Sequence, residues 1–216
     1  MALINKLILF SGGVDSTTLL HLYKENIKIA ISFNYGSKHN AVEIKHAKKI
    51  CKELGIKHKV IDLPFINQYF KSNLLKSGGK IPNGHYQDKK MRSTVVPFRN
   101  GIMLSITAGI AESENCKEVL IANHYGDHAI YPDCRSEFII SMSEAISNGT
   151  YNKIKINAPF TLLTKRQIAL KGKTLNVDYS KTYSCYNGKT IHCGTCATCV
   201  ERKEALDGFD NTKYLK

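Results

Sequence analysis

Two groups of residues in this chain are spaced for chemistry, one near each end. Toward the C-terminus, Cys185, Cys193, Cys196 and Cys199 lie within fifteen residues, and Cys193-Gly194-Thr195-Cys196-Ala197-Thr198-Cys199 holds two overlapping Cys-x-x-Cys units. A two-residue gap lets neighbouring thiolates converge on one ion, and Gly188 and Gly194 permit the sharp turns this needs. Four sulfurs match a closed tetrahedral zinc site, favoured here over an iron–sulfur cluster. With no position left for water, such a metal holds the fold and activates no nucleophile. His192 could compete as a ligand but is expected to be exposed beside Cys193. Cys51, Cys116 and Cys134 are expected to be small buried thiols without chemistry.

Near the N-terminus stands Phe10-Ser11-Gly12-Gly13-Val14-Asp15-Ser16-Thr17-Thr18. Its glycines let backbone N–H groups approach an anion, Ser16 and Thr17 add hydroxyls, and the helix that follows adds its positive end. Neither Gly-Lys-Ser/Thr at Walker spacing nor Gly-x-Gly-x-x-Gly is present. The string is therefore expected to hold phosphate, with Asp15 helping to hold Mg²⁺ between phosphates or serving as a local N-cap.

The elements that must position these groups alternate. Lys6–Phe10, Ile27–Phe33, Lys57–Leu63, Glu118–Ala122 and Lys153–Asn157 read as strands. Thr17–Lys24, Asn40–Leu54, Asn100–Glu114, Ser136–Ser147 and Lys165–Leu175 read as helices. Such alternation predicts an α/β fold with a doubly wound, parallel, five-stranded sheet and right-handed crossovers. Ligands then bind beyond the carboxyl ends of the strands, so the turns at 11–16, 34–39, 97–100 and 123–135 should share one rim. Residues 71–96, basic and broken by Gly78-Gly79 and Pro82-Asn83-Gly84, read as a surface loop or lid.

The 216 residues suit one such body over 1–180 with a small zinc-binding segment over 181–216. The net charge of +13 suits anionic partners, but it is spread along the chain with no basic stripe interleaved with aromatics, so no stable nucleic-acid binding is expected. No apolar run approaches the ~20 residues of a membrane span. Leu3–Phe10 is interrupted by Asn5 and Lys6 and is no signal peptide. A cytoplasmic protein is expected, in which seven cysteines stay reduced.

The glycine loop resembles the PP-loop of ATP pyrophosphatases, the adenine nucleotide alpha hydrolase-like fold, which implies that Phe10, Ser11, Gly12, Gly13, Val14, Asp15, Ser16, Thr17 and Thr18 bind ATP. Together with the cysteine run it resembles one PP-loop family, the 7-cyano-7-deazaguanine synthases of the queuosine pathway. Phe33-Asn34-Tyr35-Gly36 with His39, Val96-Pro97-Phe98-Arg99-Asn100, Tyr131-Pro132-Asp133-Cys134-Arg135, Ser184-Cys185-Tyr186-Asn187-Gly188 and Arg202 agree with it. The resemblance covers nearly the whole chain except 71–95. It implies adenylation of 7-carboxy-7-deazaguanine by ATP, displacement by ammonia, and a second adenylation that carries the amide to the nitrile. It further implies a homodimer and a structural Zn²⁺. Arg99 and Lys165 are the candidates to neutralise phosphate or carboxylate charge, and Asp127, Tyr131, Asp133 and Arg135 to contact the deazaguanine. His124 and His128 are candidates for proton transfer or phosphate contact, and more simply for structure. The segment His124-Tyr125-Gly126-Asp127-His128-Ala129-Ile130 departs from the Thr-Asp-Phe-Ser-Gly-like stretch of many members. That keeps open a relative that stops at the amide or transfers the activated carboxyl to another amine. A tRNA-modifying PP-loop enzyme and a non-enzymatic zinc-knuckle module are the further alternatives.

Overall fold

Successive residues of the first strand, β1 (Lys6–Leu9), are buried on opposite faces, and this decides the layering. Leu7 packs with Ile29, Ile31, Leu104 and Val119, whereas Ile8 packs with Leu19, Leu20, Ala30 and Leu120. A strand apolar on both sides belongs inside a parallel sheet covered by helices on both faces. A computed structural model describes residues 4–85 and 88–215 and has this architecture. The elements that follow are α1 (Val14–Tyr23), β2 (Ile27–Asn34), α2 (Asn40–Glu53), β3 (Lys57–Asp62), α3 (Pro64–Tyr69), α4 (Arg99–Ser113), β4 (Glu118–Leu120), α5 (Ser136–Asn148), β5 (Lys155–Asn157), α6 (Lys165–Thr174) and α7 (Ala197–Ala205).

The sheet order is β3-β2-β1-β4-β5, with every pairing parallel. Helices α1, α2 and α6 cover one face through Leu19, Leu20, Ala47, Ile50 and Ile168, and α4 and α5 cover the other through Leu104, Ala108, Ile139 and Ile146. The order reverses between β1 and β4, and beyond the carboxyl ends of strands at such a reversal a crevice opens.

The expected doubly wound five-stranded sheet is therefore present, with three local differences. Helix α1 begins at Val14 rather than Thr17, which brings Asp15 and Ser16 into its first turn. Helices α3 and α7 were not expected; α7 starts inside the cysteine run, with Cys196 at its N-cap. Residues 71–96 are not a passive surface insertion. Leu74 and Leu75 are fully buried in the main core, and Met91 packs beside Ile130 and Tyr131. Lys38 Nζ also donates to the Asn73 carbonyl at 2.8 Å.

The stretch from 181 onward is tied into the body. Tyr183 N donates to the Gly12 carbonyl at 2.9 Å, α7 packs on α6, and Arg202 is fully buried. No helix among the described residues is long and apolar enough to cross a membrane.

Candidate active site

The glycine loop turns sharply because Gly12 takes φ +79, and a side chain there would bring its Cβ to 2.9 Å from the Ala47 backbone nitrogen. Gly13 is extended and caps α1 without a side chain. The first intrahelical bond is donated by Thr17 N to Gly13 O, so the amides of Val14, Asp15 and Ser16 precede the ladder, as helix-start donors do. Ser11 Oγ and Ser16 Oγ lie 2.9 Å apart. These groups line a cavity at the carboxyl ends of β1, β2 and β4, reached also by Ser32, Phe33, Ala122 and Asn123.

Two charged poles face that cavity. At the first, Lys165 Nζ lies 2.9 Å from Asp15 Oδ2 and 3.0 Å from Glu201 Oε2. Lys165 opens α6, whose start is fixed by a capping box between Thr164 and Gln167. Burial alone would favour the neutral amine, but Asp15, Glu201 and Asp127 outweigh it and hold the ammonium firmly charged. Burial likewise works to raise Asp15, yet Lys165 and His124 keep its carboxyl below the ordinary value. His124 is buried, accepts the Gly126 amide at Nδ1 (3.1 Å), and puts Nε2 3.5 Å from Lys165 Nζ. Asp15 Oδ1 and Thr17 Oγ1 are buried without a hydrogen-bond partner. An orphaned carboxylate oxygen beside a phosphate cradle fits a divalent cation.

At the second pole stands Arg99, the first residue of α4. Phe98 before it has φ +50, a left-handed conformation that costs a non-glycine residue energy, and its ring would meet a Cβ on Gly101 at 2.4 Å. Arg99 Nη1 donates to Tyr35 OH at 3.2 Å. Burial opposes its charge, but Tyr35, Asp133, Tyr186 and Tyr131 sustain it. Glu43 and His39 line the same pole from α2, with His39 Nε2 3.5 Å from Glu43 Oε2.

The cysteine run closes one wall. The candidate ligand atoms of Cys185, Cys193, Cys196 and Cys199 all lie within 4.8 Å of one another. Cys193 Sγ accepts the amides of Thr195 (3.4 Å) and Cys196 (3.3 Å). Burial would raise the Cys193 thiol, and these N–H donors bring it below its usual value, as a metal-binding thiolate requires. The sulfur set therefore fits a soft tetrahedral ion. The same run puts Tyr183, Ser184, Tyr186 and Thr198 on the cavity wall.

The structure brings most of the sequence-derived candidates together. Phe10, Ser11, Gly13, Val14, Asp15, Ser16, Arg99, Lys165, Asp127 and Tyr131 all line the cavity. Gly12, Thr17 and Thr18 stand behind it; Thr18 Oγ1 instead bonds Val14 O (2.9 Å) and Tyr179 OH (2.8 Å). Asp133 and Arg135 do not line it either. Asp133 Oδ2 accepts the Asn100 amide at 2.8 Å and so caps α4 beside Arg99, and Arg135 Nε donates to His128 O at 3.0 Å. His192 is buried, not exposed, and accepts the Ser184 amide at 3.1 Å, so it supports the run without joining the sulfurs. Cys134 is buried as expected but touches the cavity, 3.1 Å from Asn100 Nδ2. Sequence reasoning assigned no role to Glu43, Glu201, Ser184 or Tyr183. For Glu43 the only signal was its place four residues after His39 on a helix.

The chain as a whole has extensive sequence relatives. The family profile described as "Queuosine biosynthesis protein QueC" matches residues 5–210. The chain is 55% identical over 213 residues to the 7-cyano-7-deazaguanine synthase of Porphyromonas gingivalis, covering 97% of both chains. It is 51% identical over 218 residues to that of Desulfotalea psychrophila, covering 99% of this chain and 100% of the other. Among solved structures, NMN synthetase from Francisella tularensis superposes with a TM-score of 0.52 at 14% identity, over 97% of this chain and 79% of that one, a likeness of fold alone. A profile match over nearly all of the described body, and identity above half along full-length relatives, place this chain in the QueC family of 7-cyano-7-deazaguanine synthases.

Proposed function

We propose that this protein uses ATP to convert 7-carboxy-7-deazaguanine and ammonia into 7-cyano-7-deazaguanine. The observation that carries the reading is the two-pole cavity: a phosphate cradle with Lys165 and Asp15 at one side, and a buried, firmly charged Arg99 at the other. Hydroxide is a poor leaving group, so the substrate carboxylate must first be adenylated. Arg99 neutralises that carboxylate, while the amides after Gly13, Ser16 Oγ and Lys165 receive charge developing on the departing pyrophosphate. Ammonia then displaces AMP to give the amide, and a second adenylation on the amide oxygen leads to the nitrile.

Bound Mg²⁺ would neutralise phosphate charge, and Asp15 is the side chain that would hold it. Zn²⁺ bound by Cys185, Cys193, Cys196 and Cys199 would be structural. Asp127 and Tyr131 contact the base directly, and Asp133 and Arg135 act from behind by fixing the turn that carries them. In this reading residues 1–180 form the catalytic body, the segment 181–216 adds the zinc-braced wall, and the enzyme works as a cytoplasmic homodimer with no membrane or stable nucleic-acid partner. The test is turnover with 7-carboxy-7-deazaguanine, ammonium and ATP, read by product mass and nucleotide analysis. Two AMP per nitrile are expected. One AMP with product halted at the amide selects the shorter reaction, and ADP without AMP refutes adenylation.

A further inference from the structure

Four protons must leave one nitrogen on the path from ammonium to a nitrile. The phosphate pole is poorly built to take them, because its carboxylates serve a lysine. Three carboxylates among the described residues line the cavity: Asp15, Glu43 and Asp127. Asp15 is paired with Lys165 at 2.9 Å. Asp127 Oδ2 closes the cap of its own turn, accepting the His124 amide at 3.3 Å. Among the described residues Glu43 has neither a lysine nor an arginine within ion-pairing distance, and the side chain paired with it is His39, with Nε2 at 3.5 Å.

We propose that Glu43 is the proton acceptor for the nitrogen chemistry, with His39 as its positioning residue. The inference rests on the proposed reaction. Its geometry stands on three features. Glu43 lies on α2 directly behind the glycine loop, where a Cβ on Gly12 would come within 3.2 Å of the Glu43 carbonyl. It shares the pole of Arg99, which receives the reacting carboxylate. Its side chain keeps 18% of its exposure, enough to hand a proton on to solvent.

The groups facing it are His39 on its own helix, Arg99 from α4, and Tyr183 from the segment that follows the 3-10 turn at Tyr179–Lys181. Burial lifts the Glu43 carboxyl to about 8 against the pull of Arg99, so it exchanges protons near neutral pH. Burial keeps the His39 ring neutral, at about 3.

In the first half-reaction Glu43 carboxylate takes a proton from ammonium. The freed nitrogen lone pair attacks the acyl carbon, and the tetrahedral species expels AMP as the C–O bond breaks. The nitrogen loses its second proton to the same carboxylate, once that has discharged the first to solvent. In the second half the O-adenylated amide gives up its two N–H protons by the same route, while the C≡N bond forms and AMP departs with the C–O electron pair.

The experiment compares the zinc-loaded full chain with Glu43→Gln in three assays. Acid-dependent ATP–pyrophosphate exchange reads adenylation. Amide and nitrile formation with ammonium read the nitrogen steps. Hydroxamate formation with hydroxylamine, which arrives already deprotonated near neutral pH, reads attack without the entry proton. Amide and nitrile formation should fall by about 10²–10⁴-fold, with exchange within about twofold and hydroxamate formation retained. Parallel loss of exchange would overturn the proposal and make Glu43 a substrate-binding group; unchanged amide and nitrile formation would overturn it equally. Should the Gln variant fail to fold, Glu43→Ala is read by the same outcomes. Absence of acid-dependent exchange in the unsubstituted protein would instead reject the reaction on which the inference rests.

Discussion

Arg202 is the largest fully buried side chain among the described residues. It is fully buried on α7, and no carboxylate among the described residues lies within ion-pairing distance. Its guanidinium donates to neutral acceptors, Tyr179 O (2.7 Å), Thr182 Oγ1 (2.8 Å), Ser184 Oγ (3.1 Å) and Thr212 Oγ1 (2.9 and 3.0 Å), while burial works against its charge and Tyr214 and Asp210 support it. Those acceptors are spread over two segments, so the guanidinium fork stitches the cavity wall at 182–184 to the C-terminal strand of chain at 212. Replacing it with Lys keeps one charge and removes the fork, because a single ammonium cannot meet acceptors in so many directions. Losing two hydrogen bonds to a charged group, at ~1.5–3 kcal/mol each, costs about 3–5 kcal/mol. For a chain of this size each kcal/mol moves Tm by ~2–4 °C, so Arg202→Lys should melt about 6–20 °C lower. The assay is thermal unfolding of the zinc-loaded protein, followed by the KM for the deazaguanine acid, which should rise as Ser184 loses its support. A Lys variant melting within about 1 °C of the parent would refute the reasoning and show that the acceptors satisfy one another without the guanidinium.

Glu43→Gln carries a stability signature of its own. The folded carboxyl titrates at about 8 against 4.5 when unfolded, so the folded state binds the extra proton between those values and the parent loses stability as pH rises through them. The variant should gain on the parent across that window, by up to ~5 kcal/mol, and match its slope below pH 4.5; equal slopes in urea melts from pH 5 to 8.5 would contradict this. Cys196→Ser should lower bound zinc, read by elemental analysis, and Tm together; full stability without metal would contradict a structural site. Asp133→Ala removes the cap of α4 and should cost about 1–2 kcal/mol while weakening use of the acid through Arg99 and sparing ATP affinity; an equal loss of both affinities would count against that division.

What the sequence determined by itself is what short-range spacing determines. The strand–helix alternation sets the parallel sheet, because each strand must be apolar on both faces, as Leu7 and Ile8 are. Gly12 and the cysteine spacing declare a phosphate turn and a sulfur site, since both are built within one stretch of chain. What only the tertiary structure decided depends on contacts between distant elements. Lys165 is a candidate cation in the sequence, but its partners appear only when α6 meets α1 and α7 and sets it between Asp15 and Glu201. Asp133 is named by its motif alone until the turn before α5 docks on α4 and sets one carboxylate oxygen on the Asn100 amide. The stretch 71–96 looks like solvated loop because its lysines dominate the composition, while a few residues, Leu74, Leu75 and Met91 among them, do the anchoring. Glu43 is one acidic residue among several on an amphipathic helix, and periodicity does not report which of them is desolvated. Its depth is created by β2, α4 and the four-cysteine segment closing around it, and desolvation of a carboxyl is a property of that whole enclosure.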